Sequence, residues 1–83
     1  MNIIINNSSM TPIYEQIVSQ MKEKIMTGQL KPDTMLPSVR TLSKDLRISA
    51  LTVKKAYDAM EQEGYIVTVH GKGSFVANMN PNL

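Results

Sequence analysis

Cysteine is absent from the 83 residues. That excludes disulfides, thiolate metal centres and cysteine nucleophiles, and it fits a cytosolic setting without requiring one. Histidine occurs once, at His70, so no histidine metal cluster or Ser-His-Asp arrangement can be assembled. No apolar run approaches the ~20 residues that cross a bilayer. Ile3-Ile4-Ile5 lacks both the basic lead-in and the length of a signal peptide. Cytoplasmic residence without a membrane partner is the expectation. Internal repeats and low-complexity segments are also missing. Asp45, Asp58 and Glu61 are scattered rather than paired for acid and base work. Gly71-Lys72-Gly73-Ser74 lacks the earlier glycine and the following helix of a phosphate-binding loop. With no catalytic constellation and no cofactor site, an enzyme is not expected.

What is present fits one small domain with a modest core, part of whose stability partner contacts could supply. The net charge of +2 is mildly basic and by itself too weak to argue a nucleic-acid partner. Seven methionines read as core filler. Residues 1–10 are polar apart from the isoleucine triplet and read as a flexible lead, although the triplet could form a short strand or pack on a partner. Thr11-Pro12 opens a helix, threonine capping and proline taking the first helical position. Ile13, Ile17, Met21 and Ile25, with Tyr14 and Val18 beside them, give it a wide apolar face over about four turns. Glu15, Lys22, Glu23 and Lys24 cancel, and Thr27-Gly28 ends it. Gln29 to Leu36 is a connector anchored by Leu30 and Leu36, with a turn at Lys31-Pro32-Asp33.

The stretch from Pro37 to Gly64 organises the rest. Ser38 caps a short helix with Val39, Leu42 and Leu46 on one face. Ser49 caps a second helix, which buries Val53, Ala56, Tyr57 and Met60 and stops at Gly64. About three residues separate them, so the second helix must turn sharply across the first, as in a helix-turn-helix. Between Ser38 and Lys55 stand five cations, Arg40, Lys44, Arg47, Lys54 and Lys55, against the single anion Asp45. Farther along, Asp58, Glu61 and Glu63 make the end of the second helix acidic. A helix N-terminus already favours anions through its free N–H groups, and cations gathered there suit a phosphate backbone. An ordinary solvated face could carry the same run.

After Gly64 the pattern alternates. Tyr65 to Val69 and Ser74 to Ala77 read as strands around a turn at His70-Gly71-Lys72-Gly73, whose glycines can take positive φ. The fold expected is mainly α with a small β-hairpin: a winged helix-turn-helix of three helices plus a wing, over residues 11–77, followed by a polar tail at 78–83. A basic, glycine-rich tip at Lys72 can approach a phosphate backbone or minor groove closely.

Pro12-Ile13-Tyr14-x-Gln16-Ile17, Gly28-x-Leu30, Leu36-Pro37-Ser38-x-Arg40-x-Leu42, Thr52-Val53-x-Lys55-Ala56-Tyr57-x-x-Met60-Glu61-x-x-Gly64 and Gly71-Lys72-Gly73-Ser74-Phe75-Val76 occur in that order. Together they resemble the GntR family of bacterial transcriptional regulators, in particular its YtrA-type branch. The resemblance implies a DNA-binding domain that binds a palindromic operator in double-stranded DNA as a homodimer, and a repressor. It implies DNA contacts from Arg40, from the leading residues Ser49, Ala50, Leu51 and Thr52, from Lys54, and from His70 and Gly71 at the wing tip. With the flanking residues Ser38, Lys44, Arg47, Lys55, Lys72 and Gly73, these make up the expected DNA surface.

Three departures from the family pattern matter. Ala50 stands where many relatives carry Arg or Asn, and Leu51 is apolar too, so base reading by this pair would rest on thymine methyls. Arg47 stands where relatives usually have Gly, at a cost of about 1 kcal/mol if its backbone is left-handed. Relatives also continue into a C-terminal effector or dimerisation segment. The chain is therefore expected to be a shortened form or an unusually short member, with that segment a candidate requirement for dimerisation. The competing expectation is a winged helix that binds protein or RNA.

Overall fold

The computed structural model describes residues 2–78. Three helices, α1 (Ile13–Met26), α2 (Val39–Leu46) and α3 (Ala50–Gln62), precede an antiparallel hairpin of β1 (Ile66–Val69) and β2 (Gly73–Val76). The helices and hairpin match the expected winged helix. The tail beyond Asn78 lies outside the described residues.

On α1 the predicted stripe is buried at Ile17, Val18 and Met21 and half-buried at Ile13, Tyr14 and Ile25. Gly28, at φ +83°, turns the chain away, and the Leu30 N–H closes back on the Lys24 carbonyl at 2.9 Å. Thr11, expected to cap this helix, does not. Pro12 is still extended, with ψ 145°, so it occupies the cap position itself and the helix begins one residue later. The Thr11 amide is spent on Ser9 Oγ at 3.0 Å, and its carbonyl accepts from Gln16 Nε2 at 2.8 Å.

The segment before α1 lies along that helix. Gln20 accepts from the Ile4 N–H at 2.8 Å and donates to the Ile4 carbonyl at 2.6 Å. One turn earlier, Gln16 does the same for Asn6, at 2.8 and 3.0 Å. Two side-chain amides thus replace a neighbouring strand, and Ile3 is buried beneath them.

The connector holds the expected turn. Thr34 N–H reaches the Lys31 carbonyl at 3.1 Å, and Asp33 takes φ +66°. It also contributes something the sequence did not suggest. Residues 34–36 run antiparallel beside β2, with Val76 N–H to Thr34 O at 2.9 Å, Leu36 N–H to Ser74 O at 2.8 Å, and Met35 opposite Phe75. The hairpin is thereby fastened to the chain entering α2, which fixes the wing relative to the helix pair.

Helix α3 packs on α1 and α2, and Val53, Ala56, Tyr57 and Met60 are buried as expected. Leu42 of α2, Ile66 of β1 and Val76 of β2 complete the core around them. Methionine as core filler holds for Met21 and Met60 and fails for Met10, Met26 and Met35, which are exposed. Met10 precedes the helix, Met26 lies off the apolar stripe, and Met35 shares the outer face of the sheet with Phe75. Gly64, at φ +85°, ends α3, and the Tyr65 N–H reaches back to the Met60 carbonyl at 2.9 Å. That closure delivers the chain directly into β1.

Candidate nucleic-acid interface

Both helices of the pair are capped by the expected serines. Ser38 Oγ accepts from the Thr41 N–H at 3.0 Å, and Ser49 Oγ accepts from the Thr52 N–H at 3.1 Å. The hydroxyls are also paired with each other, Ser38 with Thr41 at 2.9 Å and Ser49 with Thr52 at 2.8 Å. The two hydroxyls at the start of α3 and the Thr52 N–H are therefore satisfied within the helix cap.

Between the helices, Arg47 adopts φ 58° and ψ 45°. An L-residue with a Cβ pays about 1 kcal/mol for that conformation. The joint needs it, because the Ile48 N–H then closes on the Ser43 carbonyl at 3.1 Å and α2 ends within one residue. Lys44, in the last turn of α2, and Arg47 are both exposed, so two cations flank the start of α3.

The outer side of α3 carries Ala50, Leu51, Lys54 and Asp58, all exposed. Leu51 is 80 % exposed, a large apolar side chain with no partner in the fold. Lys54 Nζ donates to Asp58 Oδ2 at 2.8 Å, and this bond raises the lysine pKa above its ordinary value. Lys55 is turned the other way: its Nζ lies 4.2 Å from the centre of the Tyr14 ring on α1. Residues adjacent in sequence thus point about 100° apart around the helix, enough to give the two lysines different partners.

At the wing, the Lys72 N–H closes on the Val69 carbonyl at 2.9 Å across His70 and Gly71. Gly71 takes φ +81° and Gly73 φ +135°. A Cβ at position 73 would come 3.0 Å from Met35 Cε, the free end of an exposed side chain that can give way, so it is the backbone angle that favours glycine there. His70, Gly71 and Lys72 are exposed, while Gly73 is half-buried against Met35.

A shallow groove of about 450 Å³ joins these parts, lined by Val39 of α2, Lys54, Tyr57, Asp58 and Glu61 of α3, and Thr68 and Ser74 of the hairpin. Ser38 and Arg40 flank Val39 at the α2 wall. The strands of the other wall lead to Lys72. Tyr57 ties the floor together, donating its hydroxyl to the Pro37 carbonyl at 2.6 Å. Of the groove residues only Lys54 belongs to the expected surface, and two of the others are charged. Asp58 binds Lys54, and Glu61 Oε2 accepts from the Thr68 N–H at 3.1 Å, joining α3 to β1. The i, i+4 spacing of Lys54 and Asp58 was the signal for the first of these. Nothing local announced the second.

Three helices with a three-residue joint and a hairpin anchored beside them, its glycine-rich tip exposed, define a winged helix-turn-helix domain of the kind used by transcription regulators. The chain belongs to the gntR family of bacterial regulatory proteins, whose family model matches residues 13–76. It is 47 % identical over 75 residues to the HTH-type transcriptional repressor YtrA of Bacillus subtilis (strain 168), covering 90 % of this chain and 58 % of that protein. The chain thus spans little more than half the length of that relative. The crystal structure described as a transcriptional antiterminator from Listeria monocytogenes EGD-e superposes with a TM-score of 0.94 at 38 % identity, covering all of this chain and 62 % of the other. The AraR DNA-binding domain in complex with operator ORX1 superposes with a TM-score of 0.80 at 26 % identity, covering 93 % of this chain and 96 % of that one.

Proposed function

We propose that this chain is the sequence-specific DNA-binding domain of a bacterial transcriptional repressor, acting in the cytoplasm on double-stranded operator DNA. The observation that carries this is the shared groove: the start of α2, the outer side of α3 and the hairpin open on one surface, and the exposed cations Arg40, Lys44, Arg47 and Lys72 stand on the elements that border it. Helix α3 lies in the major groove and presents Ala50, Leu51 and Lys54 to base edges. Arg40, Lys44 and Arg47 hold the phosphates on one side, with the Ser38 and Ser49 caps placing N–H groups toward them. His70 to Gly73 grip the neighbouring groove, where glycine lets the backbone come close. Ser49 and Thr52 act by shaping the helix start. Lys55, stacked on Tyr14, reaches phosphate only from the α1 flank. The named relatives support the reading: one is a repressor, and one DNA-binding domain of the same fold is seen with its operator.

Two copies bind a palindrome, one α3 per half-site, with half-sites about 10 base pairs apart or a multiple of that. Selection of bound sequences from random duplex DNA tests the whole reading. An enriched inverted repeat, bound with an affinity that falls steeply with salt, is the expected result. A failure to enrich any sequence, or affinity indifferent to salt, overturns it.

A further inference from the structure

Among the described residues, the groove beside α3 contains one cation and two carboxylates, an unexpected balance for a surface that meets phosphates. Lys54 is engaged by Asp58 at 2.8 Å, and Glu61 is fixed a turn farther along by the Thr68 N–H. The Lys54–Asp58 pair is about 60 % exposed on both sides, at 63 % and 59 %. Exposed pairs of this kind add little to stability, and with lysine preceding the acid the order is the less favourable one on a helix. Stability therefore does not account for an acid in this place.

We propose that Asp58 is a specificity-determining residue: it holds Lys54 off the phosphates of non-specific DNA, and on the operator the two side chains read base edges as a unit. This rests on the DNA-binding reading above. The chemistry is complementary. A lysine ammonium donates to guanine O6 and N7, and a carboxylate accepts from the N4 amino group of cytosine. Both groups lie on the outer side of α3, one turn apart, so they reach neighbouring base pairs. On an unrelated sequence the carboxylate meets no donor from a base and stays on Lys54, keeping the ammonium from the backbone. The surrounding cations supply general affinity, and Asp58 subtracts from it wherever the bases are wrong.

The test uses the selected operator and a scrambled duplex of the same length and composition, each titrated across a salt series. Asp58→Asn removes the charge and keeps the shape. The proposal expects tighter binding to the scrambled duplex, with a salt dependence steeper by about 0.9 in log–log slope, the signature of one more phosphate contact. It expects no gain on the operator, so the affinity ratio falls by about tenfold, the size of one lost base contact. In a Lys54→Ala background the Asp58→Asn effect on the scrambled duplex disappears. Glu23→Gln, on α1, makes the same change in net charge and shifts both duplexes equally. Equal gains on both duplexes with Asp58→Asn would overturn the proposal, as would no change on either. Wild-type protein that fails to bind both duplexes instead removes the DNA-binding reading, and this inference with it.

Discussion

The Tyr57 hydroxyl donates to the Pro37 carbonyl at 2.6 Å, so the middle of α3 is tied to the residue that leads into the Ser38 cap of α2. Pro37 has no N–H, and it is half-buried where its carbonyl meets Tyr57. The bond therefore sets how α2 approaches α3. Tyr57→Phe should cost about 1–2 kcal/mol, the range for orphaning a buried acceptor, measured by thermal or denaturant unfolding. It also has a pH signature. Burial pushes the Tyr57 phenol well above its ordinary value near 10. The folded protein thus keeps the proton longer than the unfolded chain does. Stability is intact below pH 10 and declines as pH rises past it, because only the unfolded state ionises easily. Tyr57→Phe should flatten that alkaline decline relative to wild type.

Arg47 combines backbone strain with a charge at the joint. Arg47→Gly should raise stability by about 1 kcal/mol by relieving the left-handed conformation. In the same variant the salt dependence of operator binding should fall by about 0.9 in slope, one phosphate contact. Unfolding and salt titration on one protein sample give both numbers. A stabilised variant with an unchanged slope would mean that Arg47 touches no phosphate.

Leu51 projects from the outer side of α3 while its polar neighbours Ser49 and Thr52 are spent on each other. A contact with a thymine methyl is the chemistry left to it. Replacing thymidine by deoxyuridine at successive operator positions should weaken binding about fourfold at the position it touches, the worth of one buried CH₂. Leu51→Ala should abolish that sensitivity at the same position. A deoxyuridine effect that persists in Leu51→Ala would place the methyl against another side chain.

Gln20 and Gln16 hold the opening segment independently, through Ile4 and Asn6. Gln20→Ala removes two hydrogen bonds at Ile4 and leaves those at Asn6. Hydrogen exchange should accelerate at the Ile4 amide, with a smaller change at Asn6, and global stability should fall by about 1 kcal/mol. Equal acceleration at both would make the segment one cooperative unit.

Much of this could be read from the residues because the signals were local. Ser38 and Ser49 announce caps, Gly28 and Gly64 announce stops, and the spacing of Val53, Ala56, Tyr57 and Met60 announces the buried side of α3. Each depends on neighbours within one turn. Features built from distant partners were not legible. The pairing of Thr34–Leu36 with β2 joins residues some forty apart in the chain. The Gln20 clamp on Ile4 uses an amide that looks like any exposed helix polar residue. Thr11 was misread because a threonine before Pro-Ile is an ordinary cap signal, and only Ser9 and Gln16 show that its backbone groups are already engaged. In the interface, the cations were visible by sequence but their facing was not. Lys54 and Lys55 are neighbours in the chain, yet one faces Asp58 and the groove and the other faces Tyr14.

Amide chemical-shift mapping during titration with the selected operator tests the central claim most directly. Shifts concentrated in Ser38–Asp58 and His70–Gly73, with α1 and the segment before it quiet, are the result predicted by a duplex seated across α3 and the wing. Shifts confined to α1 and residues 2–10, with α3 and the wing tip unmoved, would contradict it.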